Sequence, residues 1–148
     1  SILYGLQHLT MTKMRMQLVK ANGYMILDDS YKSNPESAKA AIDALESLPV
    51  SFRIACLADM LDLGPTGKDL HLQIGEYASS KNVDVLYGYG PLTKFTVEGF
   101  QGKEKAWFET KEEMIEALRK YKDQDCAILI KGSRAMAMDK VVSALKGE

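Results

Sequence analysis

Apolar residues recur along the chain in short runs that alternate with longer amphipathic stretches. Residues 14–19 alternate Met and Leu with Arg and Gln, which predicts a half-exposed strand. Ala21-Asn22-Gly23 is a turn signal that returns the chain into a second strand at 24–28, so the first pair is predicted to be an antiparallel hairpin. Residues 35–48 place Ala38, Ala41, Ile42, Leu45 and Leu48 on one helical stripe, and Pro49 ends it. The run 52–57 is short and continuously apolar, as a parallel strand buried on both faces should be. A helix is predicted at 68–81, a strand at 83–87, a turn at Gly88-Tyr89-Gly90-Pro91, a short helix at 92–98 and a short strand at 105–108. Thr110 is placed to cap a helix over 111–121. Residues 126–130 form the most apolar run, and a last helix is expected over 135–145. Strands alternating with helices predict an α/β fold: a three-layer αβα arrangement around a mostly parallel sheet of about six strands, with an antiparallel N-terminal strand.

Polar residues concentrate where these strands end. Asp28, Asp29, Ser30, Tyr31, Lys32 and Asn34 follow the second strand directly, and Pro35 opens the helix with Asn34 as its N-cap. In an open α/β sheet, ligands bind at the carboxyl ends of strands, and a helix N-terminus favours anions. From this stretch alone, a ligand site and a well-capped turn with solvated carboxylates account for the pattern equally well. Lys131-Gly132-Ser133-Arg134 stands in the same relation to the last strand. Gly132 permits close approach to the backbone, Ser133 offers a hydroxyl, and two cations flank them. A tight turn with Ser133 as a simple N-cap fits equally. Asp59 and Asp62, after the central strand, either hold a cation or face water, and His71 lies early in a helix near the same rim.

Composition narrows the classes. The 148 residues suit one domain, the hydrophobic share of 46% is ordinary for a globular protein, and a net charge of −1 gives no electrostatic case for nucleic acid. No apolar run approaches the length of a membrane helix, so no membrane insertion is expected. Cys56 and Cys126 lie inside apolar runs and are expected to be reduced core residues of a cytosolic protein. With His8 and His71 they form no metal-ligand spacing. A chain beginning at Ser1 reads as a piece cut from something longer. Gly64-Pro65-Thr66-Gly67-Lys68-Asp69 imitates a phosphate loop but has Asp62 where the pattern needs glycine and Asp69 where it needs Ser or Thr.

Four motifs, in order, resemble the C-terminal domain of the Mur ligases: Asp28-Asp29-Ser30-Tyr31-x-x-Asn34-Pro35-x-Ser37, Ala58-Asp59-Met60-Leu61-Asp62-Leu63-Gly64, His71-x-x-Ile74-Gly75, and Lys131-Gly132-Ser133-Arg134-Ala135-Met136. Lys13-Met14-Arg15-Met16 resembles the linker that brings a functional arginine into that domain. The resemblance implies an interdomain arm over 1–15 and a Rossmann-like domain over 16–148. It implies a cytoplasmic ATP-dependent peptide ligase of peptidoglycan synthesis whose N-terminal and central domains hold the UDP-sugar, ATP and Mg2+. The first and last motifs are most similar to the member that joins D-Ala-D-Ala to UDP-MurNAc-tripeptide through an acyl phosphate.

Carried over by position, Arg15 and Asp29 are implied to contact ATP, and Asn34, Lys131, Gly132 and Ser133 to receive the dipeptide. Tyr31, Lys32, Asp59, His71 and Arg134 occupy further motif positions, while no complete catalytic set and no metal site is implied within this domain. Lys32-Ser33 replaces a usual Asn-Ala, Ala58 a usual Gly, and Met14 the Gly before the linker arginine. Two other readings stand beside this one: a sibling ligase that adds a single amino acid, and a stand-alone Rossmann-like binding module.

Overall fold

The computed structural model describes residues 16–148. Its six-stranded sheet has the order β1-β2-β6-β3-β4-β5. Strand β1 (Gln17–Ala21) turns through Asn22 and Gly23, both at positive φ, and pairs antiparallel with β2 (Tyr24–Asp29). The other strands, β3 (Phe52–Ala58), β4 (Val85–Tyr89), β5 (Glu104–Phe108) and β6 (Cys126–Lys131), are all parallel to β2.

Helices α1 (Pro35–Ser47), α2 (Gly67–Ser79) and α3 (Thr93–Gly99) pack on one face, burying Ala41, Ile42, Leu45, Ile74, Ala78 and Phe100 against Leu27, Leu57, Leu86 and Leu129. Helices α4 (Lys111–Leu118) and α5 (Asp139–Lys146) cover the other face with Met114, Leu118, Val141, Val142 and Leu145 against Ile26, Ile54, Val85 and Ile128. Fully burying such a side chain contributes about 1.5–3 kcal/mol. The expected three-layer architecture, with its antiparallel first strand, is the one observed.

Local chemistry explains the helix starts. Asn34 and Thr110 each form a capping box, with Ser37 and Glu113 as the reciprocal partners. Gly75 on α2 lets α3 cross at backbone contact: a Cβ there would lie 2.0 Å from the Thr96 carbonyl oxygen.

Three expectations differ in detail. The predicted turn at Gly88-Tyr89 is the end of β4, because Gly88 makes room for Thr93 and Val97 of α3 rather than for a bend. The last helix does not run from 135. A 3-10 turn (Arg134–Met136) and Ala137 at φ 55 intervene, and α5 begins at Asp139. In β1 the inward position is Val19, while Leu18 on the opposite face is 44% exposed.

One topological feature positions the site. Strand β6 is last in sequence yet lies between β2 and β3. The chain leaves β2 and β3 toward helices on one face and leaves β6 toward α5 on the other. The carboxyl ends of β2, β6 and β3 therefore part, which is where an open α/β sheet opens a crevice.

Candidate functional site

The residues at this crevice come from two turns, 29–34 after β2 and 131–134 after β6. In the register of the parallel pair, Asp29 stands opposite Lys131. Alternation puts both side chains on the α1–α3 face, one step beyond Leu27 and Leu129. There Lys131 Nζ donates to Asp29 Oδ2 at 2.7 Å and to the Lys32 carbonyl at 2.8 Å. The pair is buried, with 1% of the Lys131 side chain and 9% of that of Asp29 exposed. Burial pushes the Lys131 ammonium below the usual lysine range, and Asp29 beside it acts in the opposite direction.

Further bonds join the turns. Gly132 N–H donates to the Asp29 carbonyl at 3.3 Å and Arg134 N–H to the Tyr31 carbonyl at 3.0 Å. The Arg134 guanidinium lies 5.3 Å from the centre of the Tyr31 ring, with both side chains on the exposed rim. Asp28 Oδ1 accepts from Ser30 N–H and Oγ–H, bending the chain as it leaves the strand. Asn34 Oδ1 accepts the Ser37 N–H, so its carbonyl half belongs to the helix cap.

Ser133 precedes the 3-10 turn, but its side chain makes no capping bond. Its Oγ is shielded from solvent and has no hydrogen-bond partner. Leaving such a group unsatisfied costs about 1–3 kcal/mol. Gly132 is buried, and a Cβ there would meet Met138 Cγ at 2.7 Å and the Ala58 Cβ at 3.1 Å. Absence of a side chain at 132 is thus what accommodates the Ala58 methyl group.

Two motif residues have structural partners instead. Asp59 accepts the N–H groups of Leu92 (3.0 and 3.2 Å, to its two oxygens) and Thr93 (3.0 Å), capping α3 from the end of β3. His71 is buried; its Nε2 accepts the Met60 N–H at 3.0 Å, and Nδ1 lies 2.7 Å from the Gly67 carbonyl. Among the described residues, no three His, Cys, Asp or Glu side chains come together as a metal cage. Asp62 is exposed at φ 62 in the same loop. Arg15 lies outside the described residues.

The structure also shows a partner that motif reading missed. Lys111 Nζ donates to the Met136 carbonyl at 3.1 Å and lies 5.0 Å from the centre of the Tyr89 ring, tying the start of α4 to the turn after Ser133. Two shallow hollows of about 390 and 430 Å3 lie at the opposite, amino-terminal end of the strands, around Gln124, Asp125 and Cys126, and contain none of the motif residues. The convergent polar groups instead line an open edge at the carboxyl ends of β2 and β6.

Comparison with known proteins shows the family. The family model described as "Mur ligase, glutamate ligase domain" matches residues 14–134. The chain belongs to the Mur ligase family. Among curated relatives it is 33% identical over 147 residues to the UDP-N-acetylmuramoyl-tripeptide–D-alanyl-D-alanine ligase of Bacillus subtilis, covering 95% of this chain and 32% of the relative. It is 32% identical to the ligase of the same name from Haemophilus influenzae, covering 96% and 32%. The chain thus spans about a third of the length of these relatives. Among solved structures, the MurF ligase of Thermotoga maritima in complex with ADP matches with a TM-score of 0.79 at 24% identity, over 90% of this chain and 30% of that one. A single domain crystallised from a Haemophilus ducreyi protein shares the fold over 98% of its own length, with a TM-score of 0.63. No helix among the described residues is long and apolar enough to cross a membrane.

Proposed function

We propose that this chain is the C-terminal domain of an ATP-dependent, cytoplasmic ligase that joins D-Ala-D-Ala to UDP-MurNAc-tripeptide in peptidoglycan precursor synthesis. In the reaction proposed, a tripeptide carboxylate oxygen bonds to the γ-phosphorus of ATP, the bond from that phosphorus to the bridging oxygen breaks, and ADP leaves. The dipeptide amine then attacks the acyl carbon. The new C–N bond forms, the C–O bond to phosphate breaks, and the amine proton is released. The chain carries no phosphate loop and no metal cage among its described residues, so ATP, its Mg2+ and the UDP-sugar are assigned mainly to N-terminal and central domains of the longer protein.

The observation that carries this reading is the unpartnered, shielded Ser133 hydroxyl beside the Asp29–Lys131 pair, at the parting of β2, β6 and β3 in a Mur ligase chain. Ser133 is assigned to the dipeptide carboxylate, which relieves an unsatisfied donor, with Arg134 and Lys32 supplying charge at the rim. Asp29 has one oxygen engaged with Lys131, and the other is assigned to an ATP ribose hydroxyl. Arg15 is assigned to the nucleotide side of the closed enzyme, and the amide nitrogen of Asn34 and the Tyr31 ring to the cleft surface. Such a domain accelerates the reaction by positioning and by stabilising charge.

The test is amide formation by the full-length ligase that contains this chain. ATP-dependent coupling of D-Ala-D-Ala, with single amino acids at least 100-fold poorer in kcat/KM, is the expected result. Preference for a single amino acid replaces this reading with that of a sibling ligase. Tight dinucleotide binding by the chain alone, without coupling activity in the longer protein, replaces it with a stand-alone module.

A further inference from the structure

The family assignment leaves open what a lysine only 1% exposed does at the carboxyl edge of the sheet. The ladder between β2 and β6 ends at Asp29 and Lys131, and beyond it the chain diverges to opposite faces of the sheet. The walls at 29–34 and 131–134 are joined there by four cross-links, three of which involve this pair. Lys131 Nζ reaches an Asp29 oxygen and the Lys32 carbonyl, Gly132 N–H reaches the Asp29 carbonyl, and Arg134 N–H reaches the Tyr31 carbonyl.

We infer that Lys131 is a positioning residue, a strut that locks the nucleotide-facing and dipeptide-facing walls into one body rather than a group that meets substrate. Two of its three donors are engaged, and its side chain is closed off from the rim on which Arg134 and Lys32 lie exposed. The strut grips residue 32 through its main-chain carbonyl. The link itself is therefore independent of which side chain stands at 32. The inference rests on the cleft assignment above for the identity of the two substrates, but the physical link does not.

The test compares Lys131→Met with the double variant Lys131→Met/Asp29→Asn, which leaves no unpaired buried charge and keeps the experiment decisive if the single variant folds poorly. In the 148-residue chain, NMR hydrogen exchange of the Gly132 and Arg134 amides should quicken at least tenfold in both variants, while β3 and β4 keep their protection. In the full-length ligase Lys131→Met should raise KM for ATP and for the dipeptide together, by about fivefold or more, and the double variant should raise the dipeptide KM by a similar factor. The double variant should recover thermal stability but not the dipeptide KM. Unchanged exchange at Gly132 and Arg134 overturns the strut. A rise confined to the dipeptide KM also overturns it, making Lys131 a ligand for the carboxylate. If the wild-type ligase does not couple D-Ala-D-Ala, the substrate assignment fails, and the exchange measurement still decides the strut.

Discussion

His71 holds the main chain at Met60 in place. Because Nε2 accepts the Met60 N–H, the ring hydrogen sits on Nδ1 and donates to the Gly67 carbonyl, so one imidazole closes the β3–α2 loop at both ends. His71→Ala leaves the Met60 N–H and the Gly67 carbonyl without this partner. The expected loss is about 1–3 kcal/mol for an orphaned buried group, read by urea denaturation of the chain. An unchanged midpoint would show that water replaces the ring at no cost.

Gly75 and Gly67 both lie on α2 and should respond oppositely to alanine. Replacing a helical glycine ordinarily stabilises by up to about 1 kcal/mol. At Gly67 the added Cβ finds its nearest neighbours at 3.8 Å, so Gly67→Ala should be neutral or stabilising. At Gly75 it would meet the Thr96 carbonyl, which is backbone and cannot turn aside. Gly75→Ala should destabilise by about 1–3 kcal/mol through forced separation of α2 and α3. Thermal melts of the two variants decide it, and equal shifts would contradict the crossing.

Asp59 caps α3 in place of a local residue, since the N-cap position is held by Leu92, which has no side-chain acceptor. Asp59→Ala removes the acceptor of two N–H groups and should cost about 2 kcal/mol. Asp59→Asn, which keeps one oxygen, should cost less. A melt that responds to Mg2+ in the wild-type chain but not in Asp59→Ala would instead make this carboxylate a metal ligand.

Acid stability should depend on Glu104. Burial alone would raise its carboxyl, but hydrogen bonds from Tyr87 (3.0 Å), Lys120 (3.3 and 3.4 Å) and Tyr121 (3.3 Å) outweigh burial and hold it below its ordinary value. The unfolded chain therefore binds its proton first as pH falls. The stability Glu104 contributes is complete above the ordinary value of 4.5 and is lost as pH drops through the lower folded value. Glu104→Gln should flatten this part of the curve of melting temperature against pH. A mutant curve that parallels the wild type below pH 4.5 would show that the cluster holds no such proton linkage.

Much of the fold is legible in the pattern because its parallel strands are buried on both faces and appear as apolar runs, as in residues 126–130 of β6. The Asn34 and Thr110 caps are legible because their partners lie three residues away. What escaped the pattern is held by distant partners. The cap of α3 comes from Asp59, and the strand character of Gly88-Tyr89 depends on a helix that packs against the glycine. The helix expected from 135 is delayed by a left-handed Ala137 that no local signal marks. At the candidate site, the motifs singled out Asp29, Lys131 and Ser133. The pairing of Asp29 with Lys131 required strand order and register, because only the insertion of β6 beside β2 brings them together.

The cleft assignment is tested most directly by Ser133→Ala in the full-length ligase, with KM measured separately for D-Ala-D-Ala and ATP. Loss of one hydrogen bond to a charged group should raise the dipeptide KM about tenfold or more, with the ATP KM unchanged within twofold. An unchanged dipeptide KM, or equal rises for both substrates, would contradict the placement of the dipeptide at Ser133.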